Sequence, residues 1–415
     1  MTVSYGYGGF APGTSHQNVR KAWDTLLHEQ VLNKSAWRGL TGQDKTGEGS
    51  LDAETVNKPI VLKTQLGKES GDQITMGLVA SNVKQSWVSA TDANNWFNMG
   101  VSGNTQLVDS ESSLTLYNAK VKIAHQRFGV QIDGKLTLQR TPYDLQRVAK
   151  DRVAEQMTYF LDNAVFMACY AGYSANVFRE LGVTAAVPTA HPNQIYGKGQ
   201  TALVNVTAAD VLDTVGLEII RVFWETANIN PIMVDGDPHG LLYVHPTNGK
   251  TLRADSAWID ANAFAQPRGN DNPIFQNKLG QWGGLVVKES NKISTEFDPT
   301  QITITGGLIT GSGGAAHAID APTMDVGTPA ANVYMCTLVG ANAVARAFAL
   351  ESYMVRRKED DYENIYGFGG GFIYGDRRAD FALSQDSGVD STVKNQSGAV
   401  CHFFGPTVSV PTVWS

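Results

Sequence analysis

Residues 141–172 carry an apolar pattern that fits one long α-helix and does not fit a strand. Thr141 is the predicted N-cap, and Pro142 suits the first helical position. Apolar side chains then recur at steps of three and four, without an internal Gly or Pro, at Leu145, Ala149, Val153, Met157, Phe160, Ala164 and Ala168. Roughly thirty residues at about 1.5 Å each predict a rod about 45 Å long. We expect its first half to be partly exposed and its second half to be buried on most sides.

Two groups of strand-like segments precede this helix, and the stretch between them is too polar to form a core. Alternating apolar positions predict strands within 60–78 and again within 114–132. Residues 81–113 lie between the two groups, and loops of this length are uncommon unless they bind something. The aromatic residues of this stretch are therefore predicted to be buried against a partner, namely Trp87, Trp96 and Phe97.

The N-terminal segment is predicted to be a helix on a tether. Residues 1–16 lack periodicity and are expected to form a flexible leader without the basic and apolar regions of a signal peptide. Apolar positions that include Trp23 predict a helix over 17–31, and the Gly-rich, charged run 41–50 predicts a linker. Because a short amphipathic helix cannot bury its apolar stripe alone, we expect it to dock elsewhere on this chain or on a neighbouring copy.

A mixed α/β region is predicted after Gly172. We expect a helix over 207–227 with Thr207 as its N-cap, and then two short strands over 231–246 joined by a Gly-Asp-Pro-His-Gly turn. Further predictions are a helix after Asn248 that ends near Phe264 and a strand over 285–288 that follows a turn.

The most apolar window of the chain covers residues 333–350. Asn342 and Arg346 interrupt it, which favours a buried helix over a membrane span. We therefore predict a helix that includes residues 341–350, followed by tyrosine- and glycine-rich strands.

Composition excludes some classes of partner. With 33 Lys plus Arg and 40 Asp plus Glu, the formal net charge is −7. Tight nucleic-acid binding requires basic residues that displace counterions from phosphates, so this balance disfavours it, although it is compatible with a container for nucleic acid. The three cysteines, Cys169, Cys336 and Cys401, have no metal-binding spacing and are predicted to be free, partly buried thiols.

Few residues form a pattern typical of catalysis. Asp235, Asp237 and His239, with His245 nearby, could bind a divalent metal, but the Gly and Pro between them favour a turn. His191 and His245 each precede a proline and are predicted to be loop residues. The run GFGGGFIYG at 367–375 does not match a phosphate-binding loop and is predicted to be a tight turn or flexible joint. We predict no catalytic, cofactor-binding or metal-binding residue.

The order of these elements resembles the HK97-like capsid fold, an α+β fold, and in particular the major capsid proteins of schitovirus-type podophages, which are tailed bacteriophages. The resemblance covers most of 58–383, leaving out 172–206 and 300–332. Its strongest segments are GDQITMGLV at 71–79, VKIAHQRFGVQIDGKLTLQRTPYDLQRVAKDRVAEQMTYFLDNAVF at 121–166 and YVHPTNGKTLRAD at 243–255; YGFGGGFIYGDRRADFAL at 366–383 agrees more loosely.

The resemblance implies five regions. They are an N-terminal arm at 1–58, an extended β E-loop at 59–140, a peripheral (P) domain with its spine helix at 141–206, an axial (A) domain at 207–340, and a return to the P-domain with C-terminal strands at 341–415. It also implies a major capsid protein that forms hexamers and pentamers of an icosahedral shell around double-stranded DNA. Scaffolding, portal and decoration proteins are the further partners that it suggests. The chain is then expected in the virion, after synthesis in the host cytoplasm.

Seven residues are predicted to contact neighbouring subunits: Trp23, Trp87, Trp96, Phe97, Arg140, Arg147 and Arg152. The arginines and Lys150 form a basic cluster that is either a solvated helix face or a partner for acidic residues such as Asp109 and Glu111 of a neighbouring arm. Two other functions remain open, an encapsulin-like nanocompartment shell on the same fold and a metal-dependent hydrolase. A tail or fibre protein is a third, although such proteins usually lack a rod helix behind a β arm.

Overall fold

The computed structural model describes about half of the chain. The described residues are 27, 30–31, 34–37, 39–43, 57–63, 73–79, 116–132, 140, 145–174, 191, 193–201, 205–227, 229–234, 236–265, 278–293, 303–305, 308–310, 316–317, 333–356, 366–380 and 397–405. The helices with both ends among the described residues are α1 (Leu145–Ala171), α2 (Thr214–Thr226), α3 (Pro246–Arg253) and α4 (Ser256–Ala265).

Strands predominate along the described chain. In order they are β1 (Thr41–Gln43), β2 (Ile60–Lys63), β3 (Gln73–Val79), β4 (Leu116–Lys122), β5 (Ala124–Ile132), β6 (Gln194–Tyr196), β7 (Ile232–Val234), β8 (Asp237–Val244), β9 (Lys278–Trp282), β10 (Leu285–Glu289), β11 (Thr303–Thr305), β12 (Leu308–Thr310), β13 (Ala316–His317), β14 (Val333–Val339), β15 (Val344–Arg356), β16 (Tyr366–Arg378) and β17 (Gly398–Phe404). This mixture of helices and strands is the predicted α+β class.

A five-stranded sheet supports the long helix α1. Its order is β1-β2-β15-β16-β5, so strands from the beginning, middle and end of the chain meet in it. Val153, Met157 and Leu161 of α1 are fully buried and belong to one core cluster with Phe372 and Tyr374 of β16. The predicted spine helix is confirmed, and its last part is buried on nearly every side, as expected.

Glycine at one position of β16 allows α1 to lie this close to the sheet. A Cβ atom built on Gly370 would lie 3.0 Å from a methyl carbon of Val153 and 3.1 Å from the sulfur of Met157. A side chain at position 370 would therefore push the helix away from the strand. The GFGGGFIYG run is thus the middle of a long strand, and its prediction as a turn or joint is wrong, because glycine in a strand also marks close packing.

The second large sheet has seven strands. Its order is β6-β17-β14-β8-β10-β9, and β7 pairs with the start of β8. Helices α2, α3 and α4 lie within residues 214–265, which also contain β7 and β8 of this sheet. Leu217 and Trp224 of α2 share a core cluster with Phe403 of β17. The N-cap of α2 is Asp213, whose side chain accepts a hydrogen bond from the backbone N–H of Gly216 at 2.9 Å. The predicted start of this helix at Thr207 is therefore wrong.

Residues 333–350 form strands, so the predicted buried helix is wrong. Strand β14 belongs to the seven-stranded sheet and β15 to the five-stranded sheet. A strand that is buried on both faces is apolar throughout, and periodicity alone cannot distinguish it from a buried helix. Asn342, between the two strands, adopts a positive φ of 56°, which places the bend at the polar residue.

The N-terminal segment docks on its own chain where it is described. Leu27, Gln30, Val31 and Lys34 are helical, and Leu27 and Val31 are buried in the cluster beneath α1. Trp37 is 1% exposed, and its ring lies 5.0 Å from that of Phe166 and 4.7 Å from that of Tyr243. Residues 41–43 pair in parallel with 60–62 as β1, so the predicted linker is partly a strand.

Candidate assembly surface

The first half of α1 presents an exposed arc to solvent. Its exposed residues are Arg147, Val148, Asp151, Arg152, Glu155, Gln156 and Tyr159. Val148 is 46% exposed and Tyr159 is 47% exposed, although both are large and apolar over most of their surface. Such a combination of apolar and charged groups is typical of a surface that meets another protein.

The charges of this arc are mixed. Arg152 donates to Glu155 over 2.6 Å within the same helix, and Asp151 is exposed beside it. The side chain of Lys150 instead lies over the ring of Phe368, with its ammonium 5.2 Å from the ring centroid. The predicted basic cluster is therefore partly paired within the chain. Arg140 and Arg147 are exposed, and their contact with a neighbouring subunit remains a prediction.

A buried carboxylate fixes the segment before β1 against α1. Asp162 is fully buried and accepts a hydrogen bond from the hydroxyl of Ser35. Both of its oxygens also lie within 3.2 Å of the backbone N–H of Ala36. Lys292, just beyond β10, forms an ion pair with the same carboxylate. Asp162 therefore joins three distant parts of the chain, and its charge is satisfied by donors from two of them.

The predicted aromatic contacts lie outside the described residues. These are Trp23, Trp87, Trp96 and Phe97, together with the acidic residues Asp109 and Glu111. Their burial against neighbouring copies remains a prediction.

The candidate metal ligands form a β-hairpin. Strands β7 and β8 pair as Val234 with Asp237 and Ile232 with His239, and Gly236 adopts a positive φ of 94° at the turn. The His239 ring nitrogen Nδ1 lies 3.0 Å from the backbone carbonyl of Asp237. Asp235 lies outside the described residues. Within the described part of the chain, no three His, Cys, Asp or Glu side chains are grouped as metal ligands would be.

The two histidines that precede prolines have structural positions. His245 caps α3 by accepting a hydrogen bond from the backbone N–H of Thr247, and burial lowers its pKa. His191 is 4% exposed and accepts a hydrogen bond from the backbone N–H of Asn193 at 3.0 Å. Burial and the nearby guanidinium of Arg378 hold the pKa of His191 well below its usual value. Both side chains therefore organise the backbone as neutral imidazoles.

The three cysteines are free and fully buried. Burial raises the pKa of Cys169 and of Cys336 to about 12, so both are held as thiols, which are poor nucleophiles. Cys336 and Cys401 are cross-strand partners in β14 and β17. Among the described helices, none combines the length and apolarity needed to cross a membrane.

Comparisons with known proteins agree with this architecture. A family model described as phage capsid protein matches residues 28–400. The major capsid protein of Pseudomonas phage KPP25 is 23% identical over 410 residues, covering 94% of this chain and 96% of that protein.

Solved structures give the same fold. The capsid of Ralstonia phage GP4 matches with a TM-score of 0.62 and 20% identity, over 91% of this chain and 93% of that one. The capsid asymmetric unit of cyanophage Pam1 matches with a TM-score of 0.60 and 18% identity, over 90% and 93% of the two chains. The fold is therefore that of HK97-like capsid subunits, as predicted.

These findings define a class, the structural subunits of phage heads. Because the family model spans most of its length, the chain belongs to the phage capsid protein family. The predicted major capsid protein of a tailed phage, a component of the virion, is confirmed. The nanocompartment and hydrolase hypotheses are not favoured.

Proposed function

We propose that copies of this chain associate as hexamers and pentamers into an icosahedral shell that encloses double-stranded DNA. The observation that carries the proposal is the family match over residues 28–400, which extends from the buried helical residues near Leu27 into β17. The net charge of −7 suits a wall that contains DNA without binding it tightly or reading its sequence.

The five predicted regions have distinct roles in this proposal. Residues 141–206 and 341–415 form the plate around α1, and 207–340 form the axial domain. The arms at 1–58 and 59–140 extend over adjacent copies, with Trp23, Trp87, Trp96 and Phe97 buried in those contacts. Arg140, Arg147 and Arg152 take part from the surface of α1. Each contact can be weak, because a closed shell makes the contacts multivalent.

The subunit acts without catalysis or cofactors in this proposal. A wall needs complementary surfaces rather than a reactive pocket, and the histidines at 191 and 245 and the buried thiols are already used in packing. We further propose that the chain is made in the host cytoplasm and that separate scaffolding, portal and decoration proteins take part in building the head.

Electron microscopy of the full-length chain, expressed with and without a scaffolding protein from the same phage, tests the proposal. Closed particles with pentameric vertices are the expected result. Nuclease-resistant double-stranded DNA in particles from infected cells would distinguish a phage head from an enzyme-filled nanocompartment. A chain that stays monomeric at high concentration, with and without the scaffolding protein, would contradict the proposal.

A further inference from the structure

One face of the five-stranded sheet packs against α1, and the opposite face is only half covered by described residues. Along β16, residues Phe368, Gly370, Phe372 and Tyr374 point towards the helix, so the residues between them point outwards. The outward positions are Gly367, Gly369, Gly371, Ile373 and Gly375, and four of these five residues are glycine. Side chains are therefore almost absent from the outer surface of a central strand.

Strand β4 covers one half of this outer face. Tyr117, Ala119 and Val121 of β4 share a core cluster with the small residues Ala345, Ala347 and Ala379. The approach is so close that a Cβ atom on Gly375 would collide with the backbone carbonyl of Lys122. Small residues on this face thus allow a second layer of polypeptide to lie directly on the sheet.

The uncovered half has the same small residues but no described layer above it. Gly129 of β5 and Gly369 of β16 are directly opposite each other, and we call this pair the glycine floor. Gly129 is exposed and Gly369 is partly exposed. A Cβ atom on Gly129 would meet only the carbonyl of Phe368, at 3.7 Å, among the described residues, and one on Gly369 would meet only backbone oxygens at 3.5 and 3.9 Å.

No described contact within the chain requires glycine at these two positions. Neither residue has a left-handed φ, and a side chain would fit at either one. Glycine in a strand interior costs roughly 0.5–1 kcal/mol relative to alanine. At Gly370 the helix accounts for that cost, whereas at the floor no described residue of the chain does, and a partner that approaches the backbone would.

The border of the floor indicates which partner fits. Leu350 is 44% exposed and pairs with Ile373 on the same outer face, which adds apolar surface. The exposed basic residues His125 and Arg127 lie on β5 beside it, and His125 shares a 2.8 Å hydrogen bond with the hydroxyl of Tyr353. A second copy of this chain carries 40 acidic against 33 basic residues, and this formal net charge of −7 complements a basic border.

We propose that the glycine floor is an inter-subunit contact, on which a backbone segment of a second copy lies directly against the sheet, as β4 does on the other half. The contact continues the face that β4 already covers, and it excludes any side chain larger than hydrogen at positions 129 and 369. The inference rests on the proposed shell, because it names one surface that the shell uses.

Substituting valine at either glycine tests the inference. For Gly129→Val and Gly369→Val, we expect the dissociated chain to unfold at the wild-type temperature or slightly above it, since valine favours strands and has space here. Particle yield, measured by sedimentation and electron microscopy, should fall by at least about tenfold, because inserted methyl groups separate two packed layers. Gly129→Ala should give an intermediate yield.

Gly370→Ala serves as the folding control, since its Cβ points towards α1 rather than outwards. It should lower the unfolding temperature of the dissociated chain, which the floor variants should not do. Normal particle yield from both valine variants would overturn the inference and leave the proposed function intact. Normal shells that merely fail to bind a separate decoration protein would also overturn it, because the occupant would then not be a second copy. Failure of the wild-type chain to form particles would instead count against the proposed function.

Discussion

Arg346 and Asp376 form a buried, two-pronged ion pair across β15 and β16. The Nε–Oδ1 and Nη2–Oδ2 distances are both 2.7 Å, and the two side chains are 2% and 0% exposed. The same Nη2 donates to the backbone carbonyl of Leu161 in α1 at 3.1 Å. Burial alone would lower the pKa of Arg346, but the carboxylate of Asp376 outweighs this and raises it. One charged pair thus fixes the register of two central strands and the position of the helix above them.

Breaking this pair should destabilise the subunit strongly. For Arg346→Met we expect the free energy of unfolding to fall by about 3–5 kcal/mol, because the Asp376 carboxylate would remain buried without its cation. Denaturant unfolding of the dissociated chain measures this. The double variant Arg346→Met with Asp376→Leu is the control and should be less destabilised than the single one. A double variant that is at least as unstable would show that the charges are not the cause.

Removing the carboxylate at 162 should release the segment before β1. In Asp162→Ala the backbone N–H of Ala36 loses its acceptor, and the ammonium of Lys292 loses its ion-pair partner. We expect a loss of about 1–3 kcal/mol and faster hydrogen exchange within 36–43, measured by mass spectrometry. Lys292→Met is the matched control, since it leaves the Ala36 contact in place and should leave exchange there nearly unchanged. Equal exchange in Asp162→Ala and wild type would contradict this role.

Acidification should destabilise the dissociated chain, because His191 binds a proton more readily in the unfolded state than in the folded state. The pKa of His191 in the folded chain is lowered by burial and by Arg378, so the unfolded chain binds the proton first as the pH falls. Neutral His191 contributes fully to the free energy of unfolding above about pH 6.5. As the pH falls from there towards the lower pKa of the folded state, this contribution decreases by up to about 1.4 kcal/mol per pH unit. Unfolding free energies at pH 7 and pH 5 should differ less in His191→Asn, whose amide oxygen can still accept from Asn193. An unchanged difference would contradict the prediction. His245→Asn, at a half-buried helix cap, is the comparison and should have a smaller effect.

Alanine substitutions at two neighbouring glycines of β16 should have opposite effects on the stability of the subunit. Gly370→Ala places a methyl group about 3 Å from Val153, Met157 and the carbonyl of Tyr353, so we expect a loss of about 1–3 kcal/mol. Gly369→Ala faces away from the helix and should be neutral or stabilising by up to about 1 kcal/mol. Thermal unfolding of the two dissociated variants measures the difference. Because Val153→Ala is itself destabilising, the double variant Gly370→Ala with Val153→Ala should lose less stability than the sum of the two single losses. A fully additive loss would indicate that the helix is not the obstacle.

Charge reversal at Arg147 should affect assembly rather than folding. Arg147 is exposed on α1, so Arg147→Glu is expected to change the unfolding free energy by less than about 0.5 kcal/mol. If it pairs with a neighbouring arm, particles should form less completely and dissociate at lower salt, as sedimentation across a salt series would show. Arg147→Gln, which removes the charge without reversing it, should have a smaller effect. Particles with wild-type yield and salt resistance would exclude the pairing.

Local pattern was sufficient for elements whose apolar periodicity is unambiguous. The helix predicted over 141–172 is α1, Leu145–Ala171, and the alternation around residues 60–62, 74–78 and 116–132 corresponds to strands. The two strands of the hairpin at 232–244 were also predicted, but its turn was placed too late: Val234 pairs with Asp237, so residues 237–240 of the predicted Gly-Asp-Pro-His-Gly turn belong to β8. In each case, the pattern that predicts the element lies within one short, continuous stretch of sequence.

Elements buried on all sides were not predictable in this way. Residues 344–350 are rich in alanine and suit a helix locally, but pairing with β2 and β16 on both sides makes them a strand. The N-cap of α2 is Asp213 rather than the predicted Thr207, because Thr207 makes other hydrogen bonds in the folded chain. The backbone N–H and hydroxyl of Thr207 instead bind the Asp210 carboxylate, where hydrogen bonds from Thr207 and Lys198 outweigh burial and lower the pKa of Asp210.

Patterns along the chain were enough to predict the spine helix, the flanking strands and, through their order, the resemblance to phage capsid proteins. Folding was needed to reveal which faces of those elements are covered: that Gly370 admits the helix, that no described side chain lies over Gly129 and Gly369, and that Asp162 is satisfied by Ser35, Ala36 and Lys292. The physical reason is that periodicity depends on neighbours along the chain. Close packing and charge pairing depend instead on residues more than a hundred positions away, which meet only after folding.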